Sequence, residues 1–155
     1  MTTVSLDDLD RRILNALQTD ASLTNQELAG LVHASPPTCL RRVQRLEQSG
    51  VLARRVALVD HSKLGPSLGA IVEITLDRQG DESQRAFEQV VAHETAILQC
   101  YRVSPGPDFV LMIQVADMPA YHALAHRLFT AQHNVRNVRS YFTIHRSKFD
   151  TKVTV

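Results

Sequence analysis

Residues 35–50 read SPPTCLRRVQRLEQSG, and this stretch decides the first half of the chain. Ser35 is placed to cap a helix. Pro36 suits the first helical position, because its missing N–H would be unpaired there in any case. The helix then runs to Gln48 and stops at Ser49-Gly50, where glycine can take the left-handed conformation of a helix end. At about 100° per residue, Leu40, Val43 and Leu46 fall on one side of it. Thr38, Arg41 and Arg45 fall on the opposite side, with Arg42, Gln44 and Gln48 flanking them.

Upstream, Leu6, Leu9, Ile13, Leu14 and Leu17 recur at helical spacing and predict a first helix over 6–18, with Ser5 as its cap. Thr24-Asn25-Gln26-Glu27 reads as a capping box. A short second helix follows, carrying Leu28, Leu31 and Val32 inward and ending near His33. Two helices joined by a tight turn and braced by a third make a helix-turn-helix. Charge separates along the same stretch. Residues 1–34 carry two arginines against five acids, whereas residues 35–55 carry five arginines against Glu47 alone. Arginine is the side chain for two-point hydrogen bonding to phosphate or guanine. The pattern predicts Thr38, Arg41 and Arg45 in a major groove, with Ser35 and Arg42 on phosphates. A plain trihelical bundle used for protein contacts is the alternative. Arg54 and Arg55 lie in VLARRVALVD (51–60), whose alternation predicts an extended strand. They either reach the DNA backbone or are solvated linker charges.

The 155-residue length allows two small domains. Residues 1–60 form the first, the Gly-Pro stretch 61–67 is the hinge, and 68–155 form the second. There, alternation over 68–76 predicts a strand, 83–93 a helix and 97–103 a strand. Ser104-Pro105-Gly106-Pro107-Asp108 is a turn, and 109–116 is a central strand apolar on both faces. Asp117 caps a further helix with Pro119 in its first turn, and a last strand spans 135–145. The order β-α-β-β-α-β is the ferredoxin-like, α+β arrangement, an antiparallel sheet with both helices on one face. The other face carries enough apolar material to call for a partner subunit, and a two-fold dimer would present two recognition helices about 34 Å apart.

Composition excludes several classes. The net charge is +1, with 44% apolar and 21% charged residues, the balance of a folded soluble protein. No apolar run approaches the ~20 residues of a membrane span, and the N-terminus has no signal-peptide pattern, so a cytoplasmic location is expected. Cys39 and Cys100 fit neither a disulfide framework nor a zinc site, and both read as small buried or half-buried residues. His122 and His126 stand four apart on a helix, but residue 123 is alanine, so the HExxH base is absent. With no Gly-rich phosphate loop, no GxSxG elbow and no Cys-x-x-Cys pair, neither an enzyme nor a metal or cofactor is expected. An architectural DNA-binding protein and a DNA-free metabolite sensor are the other readings weighed.

Five segments match a known family: LDDLDRRILNALQTDASLTNQELA (6–29), SPPTCLRRVQRLEQSGVL (35–52), VEITL (72–76), VADMPAY (115–121) and NVRNVRSYFTI (134–144). The chain resembles the Lrp/AsnC feast/famine regulators over nearly its whole length. The resemblance implies a winged-type helix-turn-helix joined to an α/β sensor (RAM) domain. It also implies double-stranded DNA as partner and homodimers assembling to tetramers, octamers or larger rings. An amino-acid effector in a cleft between subunits is implied as well. Carried over by position, effector contacts fall at Ser104, Gly106, Asp108, Phe109, Met118, Tyr141, Phe142 and Thr143. Family members commonly have Ser/Thr-Gly-Asp-x-Asp-Tyr/Phe at the turn. Here the first glycine is Pro105, and the single glycine stands one place later. Asp108 either receives the ligand's ammonium group or only stabilises the hairpin.

Overall fold

The computed structural model describes residues 4–155, with only the backbone of Ser62. The chain divides into two compact units. One comprises the chain up to Val59 together with Lys148–Val155, and the other is Asp60–Ser147. The sequence pattern predicts that the second domain extends to residue 155. The last eight residues instead lie with the first unit, where Val155 packs against its core and Gln18 bonds the Val153 backbone in both directions, at 2.8 and 3.1 Å.

The first unit is three helices: α1 (Asp8–Thr19), α2 (Asn25–Leu31) and α3 (Pro36–Gln48). Asp7, not Ser5, caps α1. Its carboxylate accepts the Asp10 N–H, and Asp10 returns the bond to the Asp7 N–H, closing a capping box at 2.9 and 3.1 Å. The second predicted box forms as expected, between Thr24 and Glu27. Ile13, Leu14, Leu17, Leu28, Val32, Val43 and Leu46 are buried together. Two expected core residues are not among them. Leu31 is 60% exposed and Ala29 is buried in its place; Leu40 is 48% exposed and Cys39 is buried in its place. Burial pushes the Cys39 thiol above its ordinary pKa. After α3, Gly50 takes φ +74° and closes the helix. Residues 51–60 form no strand: their alternation has no partner strand, and all but the half-buried Leu52 are exposed.

The second unit is β1 (Leu68–Leu76), α4 (Asp81–Ala92), β2 (Ile97–Arg102), β3 (Phe109–Val115), α5 (Met118–Leu128) and β4 (Val135–Phe142). β4 stops three residues short of its expected end. The strands pair antiparallel in the order β2-β3-β1-β4, the ferredoxin-like topology, with β3 inside the sheet as its double-sided apolar sequence requires. Ala70, Val72, Ile74 and Leu76 alternate inward on β1, as do Phe109, Leu111 and Ile113 on β3. They meet Phe87 and Val91 of α4 and Tyr121, Leu124 and Leu128 of α5. Asp117 caps α5 through the Ala120 N–H at 2.8 Å. The opposite face carries Ile71, Val110, Met112, Tyr101 and Tyr141, half-buried or exposed, around a cross-strand Glu73–Arg139 pair at 3.5 Å. Cys100, expected to be at least half-buried, is exposed. Among the described residues no helix is long and apolar enough to cross a membrane.

Candidate nucleic-acid interface and ligand site

Because Cys39 rather than Leu40 turns inward, α3 is rotated by roughly 30° from the orientation its leucines predict, at about 100° per residue. The axis pointing away from Cys39, Val43 and Leu46 passes through Arg41, Gln44 and Gln48, while Thr38 and Arg45 lie to one side. Gln44 and Gln48, read from the sequence as flanking, therefore belong to the outward face. Arg41 is exposed and has no ion-pair partner among the described residues. Ser35 occupies the capping position, but its hydroxyl donates to Thr38 Oγ1 at 2.9 Å instead of capping the helix.

The other two helix arginines are held from below. Arg42 Nη1 donates to Asp7 Oδ2 at 2.6 Å and reaches both oxygens of the fully buried Asp10 at 3.3 Å. Arg45 Nη2 also meets Asp10 Oδ2. Arg42, expected on a phosphate, is three-quarters covered and belongs to the fold. Arg45 keeps 46% of its side chain exposed and remains part of the outward surface. The Asp10 N–H, followed by Arg42, holds the Asp7 carboxyl down at about 2, and the same pairing pushes the Arg42 guanidinium upward. The two acids thus cancel charge beneath α3 while fixing its angle on α1. Arg55 pairs with Glu47 at 3.0 Å, whereas Arg54 is exposed and has no partner among the described residues. The outcome is an exposed helix face of guanidinium, amide and hydroxyl groups, the donor set that reads base edges.

The residues assigned to the effector separate into two groups at opposite ends of the sheet. Register pairs Leu68 with Val115 at one end and Ile74 with Phe109 at the other, six residues or roughly 20 Å apart. Ser104, Gly106 and Asp108 stand at the second end. They line a cleft of about 430 Å3 with Gln79, Gln84 and Arg102. Gly106 needs its glycine, since φ is +121°. The Ser104–Pro105 peptide is cis. Asp108 is buried; its Oδ2 accepts the Leu76 N–H at 2.7 Å and the Gln79 amide at 3.3 Å, while no described donor reaches Oδ1. The Asp108 carboxylate therefore ties the turn to the end of β1 and to the loop that follows it. Phe109 is not at a ligand surface: it is fully buried and its ring lies 4.9 Å from that of Phe87.

Met118, Tyr141, Phe142 and Thr143 stand at the first end. Met118 opens α5 and is partly exposed, and Tyr141 lies on the open sheet face. Phe142 packs edge-on against Tyr121 at 5.0 Å. Thr143 bonds the Gly69 carbonyl through both its N–H and its hydroxyl, at 2.9 and 3.1 Å. A Cβ at Gly69 would stand 2.5 Å from Thr143 Oγ1, so a larger residue there would displace the Thr143 hydroxyl from the Gly69 carbonyl. No group of three or more metal-ligating side chains occurs among the described residues.

An exposed recognition helix on a trihelical unit, joined to a ferredoxin-like α/β unit, defines a DNA-binding regulator with a sensor domain. Comparison with known proteins supplies the family. Residues 6–47 match the AsnC-type helix-turn-helix domain and residues 69–153 match the Lrp/AsnC ligand binding domain. The chain is 35% identical to the leucine-responsive regulatory protein of Klebsiella pneumoniae, over 97% of this chain and 92% of that one. A crystal structure of an AsnC family transcriptional regulator from Agrobacterium tumefaciens superposes with a TM-score of 0.88 at 35% identity, covering 96% of each chain. A transcriptional regulator from Neisseria meningitidis, solved as a complex with L-Met, superposes with a TM-score of 0.85 at 29% identity, again over 96% of each. The chain belongs to the Lrp/AsnC family of transcriptional regulators; it is a DNA-binding regulator with a small-molecule-binding domain, and not an enzyme.

Proposed function

We propose that the protein reads its operator through the outward face of α3, as a homodimer or a larger assembly of dimers, and that a free amino acid tunes this binding. Arg41 makes the central base contact, with Thr38, Gln44 and Arg45 beside it. Arg54 and the Ser35 hydroxyl engage phosphates, and Arg42 acts only by fixing the helix. The observation that carries the reading is the exposed Arg41, without an ion-pair partner among the described residues, on a helix whose other two arginines are paired from within.

The effector reading rests on the separation of the two residue groups. One chain cannot bring Asp108 to Thr143, since roughly 20 Å of sheet lies between them. Two chains stacked on their open, partly apolar faces with strands reversed can set the turn of one near Met118 and Thr143 of the other. Asp108 Oδ1 is then available to a ligand ammonium group. The test is fluorescence anisotropy of the purified protein on DNA from upstream of its own gene against scrambled DNA, with each amino acid added in turn. A preference of ~10³ or more, shifted by one amino acid, is expected of a ligand-responsive regulator. A preference near unity on every fragment tried favours an architectural role instead.

A further inference from the structure

Within the α/β unit, charged side chains are paired off almost completely. Among its described residues, Glu73 meets Arg139, Asp81 meets Arg85 and Arg102, Glu88 meets Arg102, and Glu94 meets Arg127. Asp108 and Asp117 accept backbone N–H groups, Lys63 meets Asp60, and Arg146 is engaged. Four charged side chains have no partner there: Asp77, Arg78, Glu82 and Arg136. All four line the same groove, of about 710 Å3, whose lining also includes Phe87, Val90 and Val135. That volume lies in the range of small-ligand sites, about 300–1,000 Å3.

Two carboxylates and two guanidinium groups facing one groove without pairing to each other are matched by a molecule carrying both charges. We propose that this groove is a second ligand site, which takes a free α-amino acid with an apolar side chain. Arg78 and Arg136 receive its carboxylate, for which a guanidinium offers two parallel donors. Asp77 and Glu82 receive its ammonium group, and the apolar side chain rests against Ala86 and Val90. The site lies outside the residues assigned above to the effector.

The groove is tied to the Asp108 turn by the loop after β1. Asn134 holds that loop from one side: its carbonyl oxygens accept the Asp77 and Arg78 N–H groups at 2.9 and 3.0 Å, and its amide donates to the Arg78 carbonyl at 2.8 Å. Asp108 holds it from the other, through Leu76 and Gln79. A ligand that draws Asp77 and Arg78 into the groove therefore pulls on the support of Asp108, which couples the two sites. This coupling rests on the effector role given to the turn under Proposed function; binding in the groove does not.

Isothermal titration calorimetry of the full chain with L-leucine, L-methionine and L-phenylalanine tests the site. L-leucinamide and 4-methylpentanoate, each lacking one charge, serve as controls. At least one of the three amino acids binds, and the two controls do not. Arg78→Ala/Arg136→Ala and Asp77→Asn/Glu82→Gln each weaken that binding tenfold or more, while Met118→Ala/Thr143→Ala retains it. All four groove positions are exposed, so the variants keep the fold, which circular dichroism verifies. Binding lost in Met118→Ala/Thr143→Ala but untouched by both groove variants overturns the second site and leaves the effector reading standing. No heat with any of the three amino acids also overturns it. So does a groove variant that changes the size of the assembly but not the heats, which would assign the four charges to a subunit contact.

Discussion

Among the described residues the protein buries two carboxylates, and they are held differently. Asp10, under the recognition helix, meets two guanidinium groups and a backbone N–H. Asp108, under the effector turn, meets only neutral donors, a backbone N–H and an amide. Asp10 is neutralised in place and serves as an anchor, so the chemistry above it is left to Arg41 and the exposed part of Arg45. Asp108 anchors its turn with one oxygen, and no described donor reaches the other. On the reading proposed above, the DNA face is complete within one chain, whereas the ligand turn is half of a site.

The largest effect follows from removing the first anchor. Asp10→Ala leaves Arg45 unpaired and Arg42 with Asp7 alone, removes one of the two bonds of the capping box, and is expected to cost the helical unit about 3 kcal/mol. That is the low end of the ~3–5 kcal/mol range for broken buried pairs, because both guanidinium groups can reach water. Chemical denaturation monitored on the helices measures it. Asp108→Ala is expected to cost less, about 1–3 kcal/mol, since it strands the Leu76 N–H and no partner charge. The same denaturation series reads it, and equal losses for the two variants would erase the distinction.

The smallest effect is electrostatic. The folded state holds the Asp7 pKa at about 2, below its ordinary value of 3.8. Its contribution is therefore fully present above pH 4 and is lost as pH falls toward 2. Thermal midpoints of the protein and of Asp7→Asn should differ at pH 6 and converge by pH 2. A gap that stays constant would mean that the Asp7 charge contributes nothing.

What the sequence disclosed follows from the range of each interaction. The Thr24–Glu27 box, the Asp117 cap, the Gly50 helix end and the β-α-β-β-α-β order depend on neighbours a few residues away, and each was legible. The facing of α3 was only partly so. Cys39 and Leu40 both fit a helical stripe, and packing against the other two helices selects the smaller one. The Asp7-x-x-Asp10 spacing was a readable capping signal that the nearer Ser5 obscured. The pairing of Asp7 and Asp10 with arginines 32 to 35 residues away has no local signature. Phe109 sits beside Asp108 in sequence yet faces the core, because consecutive strand residues point to opposite faces. The division of the residues proposed for the effector between two sheet ends needed the strand register.

The central claim is that α3 reads sequence through Arg41, and operator affinity of Arg41→Ala measured beside scrambled DNA tests it most directly. A loss of about 1–3 kcal/mol on the operator and a smaller loss on scrambled DNA are expected, so the specificity ratio falls while the thermal midpoint is unchanged. Operator affinity equal to that of the unmodified protein, or an equal loss on both DNAs, would contradict it.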